Sequence, residues 1–414
     1  MAKKKSAPKT TSNKAASKKK APAKSAPPAS ASGEAEVQRD PPELRYAEEL
    51  AFLAAWDEGP RPPGWALTPR AVVVFVVGSR DPLSLESPPK GVKKRLAIEP
   101  KFVGDRTLIE RCVVTLAGER GLLLVGEPGT AKSLLSELLA AAVCGSSALT
   151  VQGTAGTSEE HLRYGWNYSL LIAKGPHEEA LVPSPVLTAM QGGGVARVEE
   201  ITRCLPEVQD ALVSILSERR LAIPELPASD GSGASQVFAR PGFNVIATAN
   251  LRDRGVSEMS AALKRRFNFE VVEPISDLAA ETSLVRAQAT QALARVGQPL
   301  PLDDALLETL VTAFRDLREG RSVEGWAVEK PSTVMSTAEA VGVASSLGLS
   351  AAFLDADRDP ASLLPGYLLG VVQKDEPKDR GRLLAYWDGT VKRRAEGGAR
   401  IWKQLYELRG ALEE

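Results

Sequence analysis

Cysteine and histidine are scarce in this sequence. The three cysteines, Cys112, Cys144 and Cys204, form no CxxC pair, and the two histidines, His161 and His177, complete no zinc-ligand set. A disulfide framework and a structural metal site are therefore not expected. The same scarcity predicts a reducing compartment and thus a cytoplasmic location.

Long apolar runs are lacking too. Residues 71–77 form an apolar stretch far shorter than the roughly 20 residues that cross a bilayer. The lysines near the start of the chain are not followed by an apolar segment, so no secretory signal is expected. We therefore expect no membrane partner.

The chain also lacks an excess of one charge, but its charges are unevenly spread. Lys and Arg total 52, as do Asp and Glu, yet residues 1–33 contain nine lysines and no acidic residue. The rest of the chain therefore carries a formal charge of −9. Because the first stretch is mostly Lys, Ala, Ser and Pro, we predict a disordered tail over residues 1–40. This tail either binds nucleic acid by phosphate neutralisation or only aids solubility.

One stretch, residues 121–133, has the layout of a phosphate-binding loop. It reads Gly-Leu-Leu-Leu-Val-Gly-Glu-Pro-Gly-Thr-Ala-Lys-Ser, and it predicts a buried strand followed by a loop and a helix. Small residues let backbone N–H groups surround phosphate oxygens at the positive end of the helix. Lys132 can then reach the outer phosphates, and the Ser133 hydroxyl can bind Mg²⁺.

The residue before this lysine is Ala131, at a position where glycine is usual. Alanine is tolerated without strain if its backbone already lies in the right-handed helical region. We therefore expect no positive φ at Ala131. The alternative explanation of the motif is an ordinary strand-to-helix turn.

Alternating patterns divide the chain, whose 414 residues predict two or three domains. Residues 96–275 alternate apolar runs with helical patterns, which predicts an α/β nucleotide-binding domain with a parallel sheet. Residues 276–375 are helical throughout and predict a separate lid, followed by a helical extension over residues 376–414. Residues 41–95 predict a short N-terminal helical segment and a linker.

Helices and packing residues are predicted within these parts. In the N-terminal segment we expect a helix over 42–56, with Leu44, Leu50, Phe52 and Leu53 as its apolar positions, a strand or buried helix over 71–77, and a linker over 81–95. In the lid and the extension we expect helices over 280–296, 303–317, 332–347, 360–372 and 377–414, with a loop over 320–329 and with Trp387, Trp402 and Leu405 packed inside.

Hydrolysis of a nucleotide needs further groups, and candidates follow two other predicted strands. The strand-like stretch 194–200 ends in Glu199, which could hold Mg²⁺, and Glu200, which could polarise the attacking water. An exposed acidic strand end is the alternative, and Arg197 favours it because strands buried on both faces are normally apolar. The strand 243–249 ends at Asn250, where the carboxyl edge of a sheet faces a ligand.

Two more features come between and after these strands. Residues 205–219 predict a helix, and residues 221–240 predict a β-hairpin with a loose tip at 229–235. Three consecutive cations, Lys264, Arg265 and Arg266, come after Asn250. In this order the cluster is a candidate arginine finger rather than a solvated face.

Together these residues resemble the AAA+ ATPases, and among them the MoxR group. The resemblance covers about residues 96–375. It rests on the phosphate loop 126–133, the segment 102–110 near the adenine, the helix-2 insertion 181–187, the Walker B region 195–203, the pre-sensor hairpin 221–240, the sensor 1 strand 246–250 and the finger position 266–267.

The resemblance implies an ATP-hydrolysing enzyme that uses ATP and Mg²⁺. It implies Glu200 as catalytic base, Asn250 as the residue that positions water or the γ-phosphate, and Arg266 as a finger acting on a neighbour's ATP. It implies Ser133 and Glu199 as the Mg²⁺ side. The nucleotide-binding residues would be Val103, Gly104, Gly126, Glu127, Pro128, Gly129, Thr130, Ala131, Lys132 and Ser133.

A finger that acts in trans requires a head-to-tail homo-oligomer, and the family expectation is a hexameric ring. MoxR relatives are chaperone-like and often serve proteins with von Willebrand factor A domains, so a protein client is expected. The alternatives are a nucleotide-gated scaffold with little turnover, or a DNA-associated motor that uses the lysine tail.

Two positions depart from the family's pattern. The metal-side acid is Glu199, where Asp is usual, and its extra methylene requires a shifted Mg²⁺ shell or an extra water. The lid shows Val334 or Met335 where the sensor 2 arginine would stand. Both departures predict slow or partner-dependent hydrolysis with nucleotide binding retained.

Overall fold

The N-terminal segment folds against the α/β part of the chain. The computed structural model describes residues 38–228, 233–250, 257–355, 357–374 and 376–413, and Pro41–Glu414 form one compact unit. Three helices come first: α1 (Pro42–Arg45), α2 (Ala47–Trp56) and α3 (Pro69–Val77). Phe52 and Phe75 are fully buried in a hydrophobic cluster shared with Leu122 and Leu139 of the α/β part.

Two predictions for this segment were wrong, and one ambiguity is resolved. Residues 42–56 form two helices instead of one, and Leu44 is 65% exposed. The linker contains a small antiparallel pair, β1 (Leu83–Ser84) with β2 (Arg95–Leu96). The ambiguous stretch is helical, because the Thr68 side chain accepts a hydrogen bond from the Ala71 N–H at 3.2 Å and caps α3.

A five-stranded parallel sheet forms the centre of the molecule, as the alternating pattern predicted. Its strands are β3 (Gly121–Val125), β4 (Thr150–Gln152), β7 (Val195–Glu199), β10 (Asn244–Ala249) and β11 (Phe267–Val271), in the order β11-β3-β10-β7-β4. The helices around it are α4 (Arg106–Ala117), α5 (Lys132–Cys144), α7 (Pro185–Gly192), α8 (Pro206–Glu218) and α9 (Ala261–Lys264). Because β10 lies between β3 and β7, the carboxyl ends of these three strands meet at one edge.

Two excursions leave this core. The first is the pair β5 (Tyr164–Trp166) and β6 (Leu181–Pro183), with α6 (Tyr168–Lys174) between them. The second is the predicted hairpin, formed by β8 (Arg220–Pro227) and β9 (Ala234–Phe238). Most of its predicted loose tip, residues 229–232, lies outside the described residues, as do residues 1–37 of the tail predicted over 1–40.

After β11 the described chain is helical. The elements are α10 (Leu278–Ala294), α11 (Asp304–Glu319), α12 (Thr337–Phe353), α13 (Leu364–Val372), α14 (Lys378–Tyr386), α15 (Lys392–Glu396) and α16 (Arg400–Glu407). A π-helical turn, Trp387–Val391, joins α14 to α15. The predicted start of the third lid helix at residue 332 was wrong, because Ser336 and Glu339 form a capping box that begins α12 at Thr337.

The C-terminal helices share one hydrophobic cluster with the lid helices. Trp387, Trp402 and Leu405 are buried there, as the sequence predicted, beside Leu310 and Phe314 of α11. Lid and extension therefore have a common core.

Neither a membrane-spanning helix nor a metal-binding cluster is found among the described residues. None of their helices is long and apolar enough to cross a membrane. No group of three or more His, Cys, Asp and Glu side chains is arranged around a possible metal in the same parts of the chain.

Candidate functional site

The candidate phosphate loop connects β3 to α5. Its lysine folds back over the loop, since Lys132 Nζ donates to the carbonyl oxygens of Gly126 at 2.9 Å and Glu127 at 2.7 Å. Gly129 has a φ of 77° and lies against the lid: a Cβ on it would be 2.2 Å from the Cβ of Ser336. The loop is therefore in direct contact with the cap of α12.

Ala131 was predicted to have a right-handed backbone, and this prediction was wrong. Its φ is 64° and its ψ is 26°, in the left-handed region, where it immediately precedes the first residue of α5. The chain must reverse its local twist here to pass from the loop into the helix, so the usual glycine conformation is kept by an alanine. A left-handed alanine costs roughly 1–2 kcal/mol.

Two substitutions in this loop are expected to have opposite effects on stability. Ala131→Gly relieves the left-handed strain, so we expect the free energy of unfolding to stay unchanged or rise by up to about 1 kcal/mol. Gly129→Ala introduces both a left-handed strain and a collision with Ser336, so the same free energy should fall. Urea titration of both variants checks this, and a gain from Gly129→Ala would contradict the described contact.

The carboxylate of Glu199 is the centre of a buried hydrogen-bond network. Oε2 accepts from Ser133 Oγ at 2.7 Å and from Thr248 Oγ1 at 2.7 Å. Oε1 accepts from Ser136 Oγ at 2.5 Å and from the guanidinium of Arg197 at 2.8 Å. Both oxygens are therefore saturated by side chains from α5, β7 and β10.

This network keeps Glu199 ionised. Burial acts to raise the pKa of Glu199, but the hydrogen bonds from Ser136 and Ser133, the charge of Arg197 and the hydrogen bond from Thr248 together lower it below its ordinary value. A carboxylate and a hydroxyl 2.7 Å apart are oxygen ligands of the kind that Mg²⁺ takes. Ser133 and Glu199 thus fit a Mg²⁺ ion chemically.

The strand that carries Glu199 is buried in spite of Arg197. All five residues of β7 are buried, so the alternative of an exposed acidic strand end was wrong for Glu199. Arg197 is 8% exposed, and besides Glu199 it donates to Ser136 Oγ at 3.0 Å and to the Ser147 carbonyl oxygen at 3.0 Å. A buried arginine is acceptable here because its donors find acceptors and its charge finds a carboxylate.

Glu200 follows directly and faces a different environment. Its φ of 52° places it in the left-handed region, and its backbone N–H donates to Thr248 Oγ1 at 2.9 Å. Its carboxylate forms an ion pair with Arg203 and remains 43% exposed. The two adjacent acids are therefore separated, one turned into the network and the other towards solvent.

Asn250 is buried at the end of β10, and it lines a cleft at the carboxyl edge of the sheet. Gly126 and Glu127 of the phosphate loop line the same cleft, together with residues 271–276 of the β11–α10 connection. Three lid residues close it: Arg318, Glu319 and Lys330.

A second cavity adjoins this cleft, and Glu127, Pro274 and Arg318 line both. Phe102, Val103 and Ile275 form apolar parts of its wall, and Ser336 and Thr337 face them from the lid. Of the two residues predicted near the adenine, Val103 lines this cavity and Gly104 does not. Val334 also lines it, whereas Met335 is fully buried.

The predicted finger residue lies at the end of α9. Arg266 is half-buried, and its Nε donates to Ser217 Oγ of α8. The neighbouring Arg265 is exposed, and its side chain forms no hydrogen bond or ion pair with the described residues. The two arginines therefore differ in how readily they reach another molecule.

Sequence reasoning missed Ser136, Thr248, Arg318 and Lys330. Ser136 lies one helical turn after Ser133 on α5, and Thr248 lies two residues before Asn250 on β10, so both share a face with a predicted site residue. That periodicity is a signal that could have found them. The lid residues carry no comparable signal, because their approach to the loop depends on how the lid folds.

Two known protein families match parts of this chain. Residues 121–267 match the family described as AAA domain (dynein-related subfamily), and residues 279–413 match the YehL-like AAA+ ATPase C-terminal domain. The uncharacterized protein YehL of Escherichia coli (strain K12) is 47% identical over 378 residues, which cover 91% of this chain and 98% of YehL. The chain belongs to the YehL-like AAA+ family.

More distant similarities cover less of the chain. The uncharacterized protein SH1500 of Staphylococcus haemolyticus (strain JCSC1435) is 28% identical over 199 residues, 48% of this chain and 68% of that protein. Among solved structures, NtrX from Brucella abortus in complex with ADP is similar at a TM-score of 0.43 and 13% identity. The similarity covers 75% of this chain and 63% of the NtrX chain.

Proposed function

We propose that this protein is a MoxR-type AAA+ ATPase that binds ATP with Mg²⁺, hydrolyses it in a cytoplasmic ring, and remodels or activates a protein client. The observation that carries the proposal is the meeting of the phosphate loop, Glu199, Glu200 and Asn250 at the ends of three neighbouring strands. Phosphoryl transfer to water needs this set: a phosphate cradle, an acid for the metal, a base for the water and a polar group beside the γ-phosphate.

Each residue has a role in this proposal. Lys132 moves from the loop's own carbonyl oxygens to the phosphates, and Ser133 and Glu199 hold Mg²⁺, which offsets phosphate charge when bound. Glu200 takes a proton from the attacking water, and Asn250 positions that water or the γ-phosphate. Val103 lies beside the adenine, as the cavity it lines would allow.

In this proposal the neighbouring subunit of the ring supplies the arginine that completes the site. No finger acts within one subunit in this scheme, so Arg266 of one copy completes the site of the next, and a head-to-tail contact closes a ring, with six subunits as the family expectation. A protein client with a von Willebrand factor A domain, of the kind that MoxR relatives often serve, completes the proposal. A DNA client is less favoured, because both Nη atoms of Arg219 beside the hairpin donate to carbonyl oxygens, those of Phe243 and Glu119.

A second candidate, a nucleotide-gated scaffold with little turnover, is favoured by one observation. Glu199 is paired with Arg197 at 2.8 Å, and this positive charge competes with a metal ion for the same carboxylate. Such a protein would bind ATP and assemble without hydrolysing it at an appreciable rate.

ATP hydrolysis measured across protein concentrations separates the two candidates. For a shared site we expect the rate per subunit to rise with concentration, and Arg266→Ala to lose about 10³-fold of it or more, the usual contribution of an arginine finger. Arg265→Ala is measured beside it, and a loss of rate in Arg265→Ala alone would assign the finger to Arg265 instead. Tight ATP binding with a concentration-independent rate no higher than that of Lys132→Ala would favour the scaffold instead.

A further inference from the structure

The cleft beside Asn250 contains more negative than positive side chains. Glu127, Glu273 and Glu319 line it, and the cations that line it are Arg318 and Lys330 of the lid. A triphosphate placed at the phosphate loop would bring further negative charge to this cleft. The positions of the two lid cations therefore matter for nucleotide binding.

The Arg318 side chain is already hydrogen-bonded within the lid. Its guanidinium donates to both oxygens of Glu281, at 3.1 and 2.9 Å, and to the Met335 carbonyl oxygen at 3.1 Å. Its side chain is 8% exposed and Glu281 is fully buried. Moving Arg318 towards a phosphate would leave a buried carboxylate with less compensation, which is costly.

Lys330 differs in all these respects. It is exposed, and within the described ranges it forms neither a hydrogen bond nor an ion pair. Its aliphatic stem lies over Gly320, where a Cβ would come within 2.6 Å of the lysine Cε. Gly320 has a φ of 72° at the end of α11. Glycine is favoured there for two reasons: the backbone is left-handed, and a Cβ would collide with the lysine stem.

We propose that Lys330 contacts the γ-phosphate of the ATP bound in the same subunit, and so provides the lid's positive charge to the nucleotide. This inference rests on the proposed function, because it needs ATP at the phosphate loop. Lys330 lines the same cleft as Gly126, Glu127 and Asn250, while the lid positions 334 and 335 hold no cation. The stem on Gly320 directs the ammonium to the cleft, where a phosphate gives it the partner that it lacks.

The test compares three full-length variants with the wild type. Lys330→Met removes the charge and keeps an aliphatic side chain, and Lys330→Arg keeps the charge. Lys403→Met is the control, because it removes an exposed lysine of α16 that lines neither cavity. Calorimetric titration with ADP and with a non-hydrolysable ATP analogue, both with Mg²⁺, gives the dissociation constants. Thermal unfolding of the same samples reports the fold.

We expect Lys330→Met to weaken binding of the ATP analogue roughly tenfold to a hundredfold, the range for a hydrogen bond to a charged group, and ADP binding by less than about threefold. Lys330→Arg should restore most of the difference, and Lys403→Met should bind as the wild type does. Equal losses for both nucleotides, or no loss with only a lower melting temperature, would overturn the inference and leave Lys330 as a charge at the end of α11.

The same titration separates this inference from the proposed function. If the folded wild type binds neither nucleotide, both are overturned. If it binds the ATP analogue and Lys132→Ala does not, while Lys330→Met is unchanged, the proposed function stands and only the role of Lys330 is rejected.

Discussion

Glu200→Gln is expected to lower steady-state ATP hydrolysis about 100-fold or more, while ATP binding stays within about threefold of the wild type. The amide has the shape of the carboxylate but cannot accept a proton from water. Glu200 is also well placed for substitution, because the hydrogen bond from its backbone N–H to Thr248 stays in place when the side chain is changed. The measurement is a coupled ATPase assay with a binding titration on the same samples.

Two further variants make this result specific. Lys132→Ala should lose binding along with hydrolysis, since its ammonium is the cation of the phosphate loop. Glu207→Gln removes a carboxylate from the exposed start of α8 and should leave both quantities unchanged. Hydrolysis by Glu200→Gln at the wild-type rate would show that another group accepts the proton.

Arg197→Met is expected to lower the free energy of unfolding by about 3–5 kcal/mol, the range for removing one partner of a buried ion pair. The substitution leaves Glu199 charged, nearly inaccessible and without its positive neighbour. It also leaves the Ser147 carbonyl oxygen without the hydrogen bond from Arg197 Nη1. Arg295→Met, at an exposed arginine after α10, is the control and should change stability little.

A substitution of the partner, Glu199, tests why Arg197→Met loses stability. If the cost comes from the uncompensated charge, Arg197→Met combined with Glu199→Gln should recover part of the loss, and the double-mutant cycle measures that coupling. Additive losses would show that Arg197 acts mainly through packing and its other hydrogen bonds.

The same pair predicts a change in the pH dependence of stability. The folded-state pKa of Glu199 is lowered, so its ionised form contributes stability above its unfolded pKa, and this contribution is lost as pH falls through the folded pKa. Removing Arg197 takes away one of the causes that lower this pKa. The stability that is lost when Glu199 becomes protonated at acid pH should then begin to fall at a higher pH in Arg197→Met.

The parallel sheet was predictable from the sequence, because its strands are short apolar runs and their ends carry polar residues. Gly126, Glu199 and Asn250 each follow or end such a run, and the order of the motifs fixed their common edge. The burial of β7 was not predictable in this way. Arg197 breaks the apolar pattern, and only the carboxylate two residues later and the acceptors from other elements make its burial acceptable.

Contacts across long stretches of sequence account for the rest of the candidate site. Thr248 lies 49 positions from Glu199 and is joined to it by a hydrogen bond that no local pattern specifies. The left-handed backbone of Ala131 depends on the direction in which α5 leaves the loop, which residue type alone does not give. The lid's approach to the loop depends on the cap at Ser336, which starts α12 at Thr337, five residues later than the helix was expected to begin.

The shared core of the lid and the C-terminal helices has a consequence for synthesis of the chain. Trp387, Trp402 and Leu405 complete a cluster whose first member along the chain is Val285 of α10. Domains tend to fold from the N-terminal end as the chain emerges from the ribosome. The α/β part can therefore close around its sheet first, and the lid core cannot form until Trp387, Trp402 and Leu405 have left the ribosome.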